Sequence, residues 1–309
     1  MNRLLSLILV LLLTASPGIA QEAKIPGLGG HIFVPTEFAP SPFINTFFTT
    51  SLGAGSSIQR DFPIVDLGNG ELVGLDGQII FIGLGFQYKQ HLKDWIAFEA
   101  KANVSGRVGS DLLSLISQGF STVNALDLGW LVKIYKSDRF MISGTAGVSS
   151  ASGNFINLAS FVEDIIDGDT TAQLSRKVNI TNGGLGYRLA WSMSKLLGFS
   201  SSGSLFYGET FEGGRLYYLS RITASLDANL QSAYDVPLGF VYNIDFNGLP
   251  EFVYVNDRTA VVHSFKFAYM GSGDFSLGLE ASFGLLPVAG FDEKVQVSTI
   301  NITSQYFFK

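Results

Sequence analysis

The stretch Thr259–Leu285, TAVVHSFKFAYMGSGDFSLGLEASFGL, switches chemistry at every residue. Phe275, Leu277, Leu279, Ala281, Phe283 and Leu285 share one parity, and Asp274, Ser276, Gly278, Glu280, Ser282 and Gly284 share the other. Successive side chains of a strand point to opposite faces, so this run predicts a strand with one apolar and one polar face. The run before it does the same, with Val261, Phe265, Phe267 and Tyr269 against Ser264, Lys266 and Ala268. Gly271-Ser272-Gly273 between them predicts a tight hairpin turn. A soluble sandwich carries the same pattern, so what decides the fold class is whether the rest of the chain repeats it.

It does. Alternation predicts strands over Phe43–Leu52, Gln78–Lys89, Trp95–Arg107, Asn124–Tyr135, Arg139–Ser149, Gly186–Leu196, Ser204–Phe211, Val236–Phe246 and Lys294–Phe308. Arg215–Asn229 reads both ways: Leu216, Leu219 and Leu226 suit a helix, whereas the alternation of Ile222, Ala224 and Ala228 with Arg221, Thr223 and Asp227 favours a strand. The total is about 12 strands of about ten residues, within a range of roughly 10 to 14. Gly53–Gly77 reads as a long loop. Long and short links alternate along the chain, as in an up-and-down barrel. The links Glu212–Gly214 and Leu286–Glu293 depart from that rule. Two long loops carry helical periodicity, at Asp111–Gln118 and Asn154–Ile166, as rim caps or as inward constrictions.

Residues 1–20 have a short basic start, Asn2-Arg3, an apolar run Leu4–Leu13 and small residues up to Ala20. This predicts a signal peptide cleaved after Ala20, because the run is about half the ~20 residues a spanning helix needs. Residues 21–42 hold Pro26, Pro35, Pro40 and Pro42 and read as an extended N-terminal segment; proline removes a ladder donor, which argues against a central strand there. Residues 43–309 are then the barrel. The net charge of −6 gives no electrostatic case for nucleic acid. There are no cysteines, which excludes disulfides, thiolate metal ligation and a cysteine nucleophile.

In a closed barrel the apolar parity faces lipid and the polar parity faces the lumen. That assigns Glu99, Lys101, Arg107, Asp127, Lys133, Arg188, Asp245, Lys266 and Glu280 to the lumen. They read either as an internal salt-bridge network or as a polar pathway for a solute. Tyr88, Phe140, Tyr187, Tyr269 and Phe308 lie near strand ends on the apolar face, as interfacial girdles require. The chain ends Ile302-Thr303-Ser304-Gln305-Tyr306-Phe307-Phe308, an amphipathic strand closed by aromatics and followed by Lys309. In these features it resembles bacterial outer-membrane β-barrel proteins as a class. The resemblance implies residence in outer-membrane lipid and recognition of the strand ending at Phe308 by the barrel-assembly machinery. In barrels similar to the hydrophobic-compound transporters, a segment before the first strand plugs the lumen.

Catalytic chemistry is not indicated. His263-Ser264 invites a nucleophile–base reading, but adjacent strand residues point to opposite faces. His31 falls in the N-terminal segment and His91 in a turn. No His/Asp/Glu spacing suggests a transition-metal site, and no cofactor motif is present. Asp164, Asp167 and Asp169 read as a solvated acidic loop, with a loop calcium ion as the alternative. The expected function is passive passage of small solutes or hydrophobic compounds through a charged lumen. The alternatives are a structural or surface-interaction barrel and, third, a lipid-modifying enzyme.

Overall fold

Strands that cross hydrocarbon must satisfy every backbone N–H and C=O internally, and a sheet does so only by closing on itself. The chain has that form in a computed structural model describing residues 25–66, 72–108, 119–156, 161, 164–166, 168, 171, 173–209, 216–248, 259–287 and 294–308. Two short strands, β1 (Gly27–Leu28) and β2 (His31–Ile32), pair as a small hairpin. The barrel strands are β3 (Thr46–Asp66), β4 (Leu72–Lys93), β5 (Ile96–Val108), β6 (Gly119–Lys136), β7 (Phe140–Ile156) and β8 (Ser175–Ser192). They continue as β9 (Leu197–Glu209), β10 (Leu216–Asn229), β11 (Leu238–Gly248), β12 (Thr259–Tyr269), β13 (Phe275–Pro287) and β14 (Lys294–Phe308). Each pairs antiparallel with its sequence neighbours, and β14 pairs with β3 to close a 12-strand barrel.

The expected loop Gly53–Gly77 is instead largely strand. β3 runs on to Asp66 and β4 begins at Leu72, with register shifts between Gln59/Phe62 and Pro63/Val65. Glycine and aspartate read as loop there, but continuous cross-strand pairing overrides their weak local preference. Likewise β8 starts at Ser175 and ends at Ser192, where a turn replaces the expected strand end at Leu196, and β9 starts already at Leu197. Arg215–Asn229 is strand β10 from Leu216 onward. Of the helix expected over Asn154–Ile166, the first three residues belong to β7, and positions 161 and 164–166 are helical. The expected helix Asp111–Gln118, the signal peptide, Asp167 and Asp169 lie outside the described residues.

The connections β4–β5, β6–β7, β8–β9, β10–β11 and β12–β13 all lie at one end, together with the start of β3 and the finish of β14. The β10–β11 link carries a short helix, Leu230–Tyr234, capped by the Asn229 side chain accepting from Ser232 N–H. The strand ends that flank the two links expected to depart from the alternation, Glu212–Gly214 and Leu286–Glu293, lie at the end opposite the short turns.

The outer wall is apolar around the barrel. Leu84, Phe86, Leu128, Trp130, Leu205, Ile222, Phe265, Leu279 and Ile302 are all exposed. A surface of that kind is stable only against a non-aqueous surrounding. The shortest barrel strands, β11 and β12, have 11 residues, which at 3.4 Å per residue and a tilt near 40° span about 28 Å, enough for a ~25 Å apolar band. Trp95, Trp130, Trp191, Tyr269, Tyr306 and Phe308 ring the short-turn end. Tyr207 and Tyr218, with ring centroids 4.9 Å apart, stand toward the other.

Candidate functional site

The polar parity turns inward, and at the short-turn end residues 25–45 lie against it. The chain enters beside the β12–β13 turn, where Ile25 N–H donates to Gly273 O at 2.7 Å. The β1–β2 hairpin crosses the lumen to β8, β9 and β10. There Nε2 of His31 meets the Asp227 carboxylate, and Nδ1 lies 3.1 Å from Lys195 O. Asp227 also accepts the backbone N–H groups of Val34 and Gly198. Gly198 is required by this close approach, because a Cβ there would overlap the His31 ring. Asn229 Nδ2 donates to Ile32 O at 2.7 Å.

The segment then climbs and returns. On the ascending limb Thr36 Oγ1 donates to Glu280 Oε1 at 2.9 Å, and Asn243 Nδ2 donates to Thr36 Oγ1 at 3.2 Å. On the descending limb the acceptors are backbone carbonyls. Ser143 Oγ donates to Pro42 O at 2.7 Å, and Arg188 Nη1 donates to Ser41 O at 3.3 Å. Lys89 Nζ donates to Ser41 O and Phe43 O, both at 3.2 Å. Proline-rich backbone cannot enter a ladder, so its carbonyls are open to side-chain donors. Two apolar clusters complete the contact: Ile25 and Val34 with Phe47, Val241, Met270 and Phe307, and Leu28, Phe33 and Phe43 with Met141 and Ala190.

Glu99 is held by Arg188 through two bonds of 2.7 and 2.6 Å and by Lys89 at 2.8 Å. The three residues come from β5, β8 and β4, so the cluster bridges strands that are not all neighbours. Asp245 accepts from Arg221 Nε at 2.8 Å and from Thr223 Oγ1 at 2.5 Å. Lys266 and Glu280 face each other in register with Nζ and Oε2 4.0 Å apart, and Lys266 donates to Thr303 Oγ1 at 2.6 Å. Lys101 and Asp127 are register partners on β5 and β6, yet neither an ion pair nor a hydrogen bond joins them. Arg107 lies farther up β5 opposite Phe81, and Lys133 lies low on β6 opposite Ser143.

Sequence reading did not single out Lys89, His31, Arg221, Asp227 or Asn243 as site residues. Lys89 extends the inward parity of Gly85 and Gln87, and Arg221 and Asp227 share the polar parity of β10, so those three were within reach. The pairing of His31 with Asp227 joins residues 196 apart in sequence and leaves no local signal. His263 and Ser264 do not meet: His263 Nδ1 contacts Tyr242 OH at 2.8 Å on the outer wall, while Ser264 donates to Glu280 at 3.2 Å inside.

Above the segment is a cavity of about 400 Å³. Its wall includes Lys101, Asp127, Arg188 and Arg221, hydroxyls such as Thr145 and Ser202, and a patch without side chains at Gly129 and Gly147, while the Phe206 ring covers Gly184. Its floor is Glu37, Ala39, Pro40, Ser41 and Asn45 of the segment. With its closed barrel, apolar outside and polar inside, the chain resembles bacterial outer-membrane β-barrel proteins as a class.

No family model and no curated protein matches the chain. Among solved structures it is similar to the NanC porin, at 9% identity and a TM-score of 0.48, covering 83% of this chain and 98% of that one. It is similar to the Pseudomonas putida toluene transporter TodX at 12% identity and a TM-score of 0.41, covering 87% and 90%. The KdgM porin is similar at 9% identity and a TM-score of 0.41, covering 84% and 99%.

Proposed function

We propose that the chain is a bacterial outer-membrane channel for small solutes and that its N-terminal segment is the gate. The observation that carries this reading is a polar chamber inside a closed barrel whose floor is a non-strand segment, not the wall itself. A gate must be able to leave without breaking the barrel. Residues 25–45 contribute no strand to the barrel ladder, so their departure costs no ladder bond and gives up the Ile25 N–H to Gly273 O bond at the β12–β13 turn. In barrels of this class the short turns and both termini are periplasmic, so the segment closes the periplasmic end. Export by the N-terminal signal and recognition of the β14 strand ending at Phe308 by the assembly machinery belong to the same reading.

The absence of cysteine makes a clean test available. Val34 Cγ2 lies 2.5 Å from where a Cβ on Gly239 would stand, so the double variant Val34→Cys with Gly239→Cys ties the segment to β11 when oxidised. In planar bilayers and in liposome-swelling assays, the oxidised protein should be silent and the reduced protein should pass solute. Equal flux in both states would remove the segment as the gate. The density of bonds fixing the segment favours the second reading, a non-transport barrel; no flux in either state would establish it.

A further inference from the structure

The charges of the lumen fall into two groups. Glu99, Arg188 and Lys89 are paired with one another, as is Arg221 with Asp245; Lys266 and Glu280 form a looser pair at 4.0 Å that leaves Glu280 Oε2 without a hydrogen bond. Lys101 and Asp127 form no such pair, and nor does Glu37 in the cavity floor. Lys101 and Asp127 sit on adjacent strands in direct register, with Cβ atoms about 5 Å apart by the geometry of such pairs. Both line the cavity, and neither bonds to the other or to anything else described. Opposite charges left open side by side in a confined space call for a ligand carrying both signs.

A second observation is independent of these charges. Asn182 is 5% exposed, lines the cavity, and its Oδ1 has no hydrogen-bond partner. Asn45 in the cavity floor has both amide atoms buried and unpartnered. A buried amide without partners costs free energy, and rotation of either side chain toward the cavity would let a bound amide or ammonium supply the missing partner. Ser202 and Thr145 add neutral hydroxyls, and the glycine patch leaves a wall that a flat amide group can approach closely.

We infer that the chamber is a binding site for small zwitterions of the amino-acid or dipeptide class. Lys101 takes the carboxylate and Asp127 the ammonium, while Asn182 and Asn45 take an amide. A neutral polyol would leave both charges unmatched, and an apolar compound would desolvate them. A simple anion or cation would satisfy one and repel the other. The site deepens the channel reading above and rests on it.

The test is equilibrium dialysis of the full-length protein in detergent against radiolabelled glutamine, arabinose, gluconate and putrescine, with folding followed by heat-modifiable gel mobility. Glutamine should be retained best. Lys101→Gln and Asp127→Asn should each weaken it by about tenfold or more. The swap Lys101→Asp with Asp127→Lys should restore binding to within about threefold, because it re-creates the same pair in reverse. Preference for arabinose, gluconate or putrescine, or glutamine binding indifferent to both single variants, would overturn the assignment. If glutamine is not retained but flux through the cysteine-tied protein still responds to reductant, the zwitterion site falls and the channel stands.

Discussion

Replacing Glu99 with Gln removes the carboxylate that Arg188 and Lys89 share. The three side chains are 12%, 14% and 0% exposed, so water is a poor substitute for the lost charge. Breaking a buried pair by removing one partner costs about 3–5 kcal/mol, mostly from the charge left behind. Here the lower end applies, about 3 kcal/mol by the same rule, because Lys89 keeps the Ser41 and Phe43 carbonyls and the face of Phe47, 5.0 Å from its Nζ. The cost should appear in urea titrations of the barrel in lipid vesicles, read by tryptophan fluorescence and by heat-modifiable mobility. Removing Arg188 as well, as Arg188→Met, should return part of the loss, since the second change deletes the stranded cation. The two bonds of 2.6 and 2.7 Å set the expected coupling near 2 kcal/mol, within the range for side chains in direct contact. Both cations also hold Ser41, so protease access to the segment should rise in the single variant. A coupling below about 0.5 kcal/mol, with protease access unchanged, would refute the idea that this cluster braces the lumen and the segment together.

Gly239→Val places new atoms against Val34 and Met270 and should weaken seating of the segment by about 1–3 kcal/mol; a rise in leak across planar bilayers checks it, and unchanged leak argues against that seat. Asp227→Asn leaves His31 without its carboxylate; maleimide labelling of an added Leu28→Cys should quicken by about tenfold, and an unchanged labelling rate would mean the hairpin is fixed by packing alone. Leu279→Arg puts a cation on the outer wall between Phe267 and Ile302 and should cost about 2–4 kcal/mol in vesicles. A cost under about 0.5 kcal/mol there would contradict a lipid-facing wall.

Strand existence and inward parity are legible wherever alternation is strong, because a period of two is a property of the backbone and not of the partner. Val261–Leu285 needs no other information to be split into wall and lumen, and Lys266 opposite Glu280 follows from the hairpin turn alone. Extent is less legible. β3 and β4 continue through Gly53–Asp66 and from Leu72, where small and acidic residues look like loop until the neighbouring strand supplies the bonds. The contacts of residues 25–45 are the least legible of all. On its descending limb the segment meets the wall through its own carbonyls at Ser41, Pro42 and Phe43, groups every residue owns, so no side-chain pattern announces those contacts.

That difference changes what the lumen charges mean. Read along the strands, Glu99, Arg188, Lys266 and Glu280 look like the lining of a path. Placed against the segment, they contact Thr36, Ser41 or each other, and their charge is spent within the wall and the segment. Lys101 and Asp127 look the same in sequence but face the cavity open. Departure of the segment would reverse the distribution. Ser41 and Phe43 would leave Lys89, Thr36 would leave Glu280, and the lower lumen would become a charged passage continuous with the chamber. On the channel reading proposed above, the same residues hold the segment when it is seated and line the route when it leaves, so the network and pathway readings of these charges describe two states of one set.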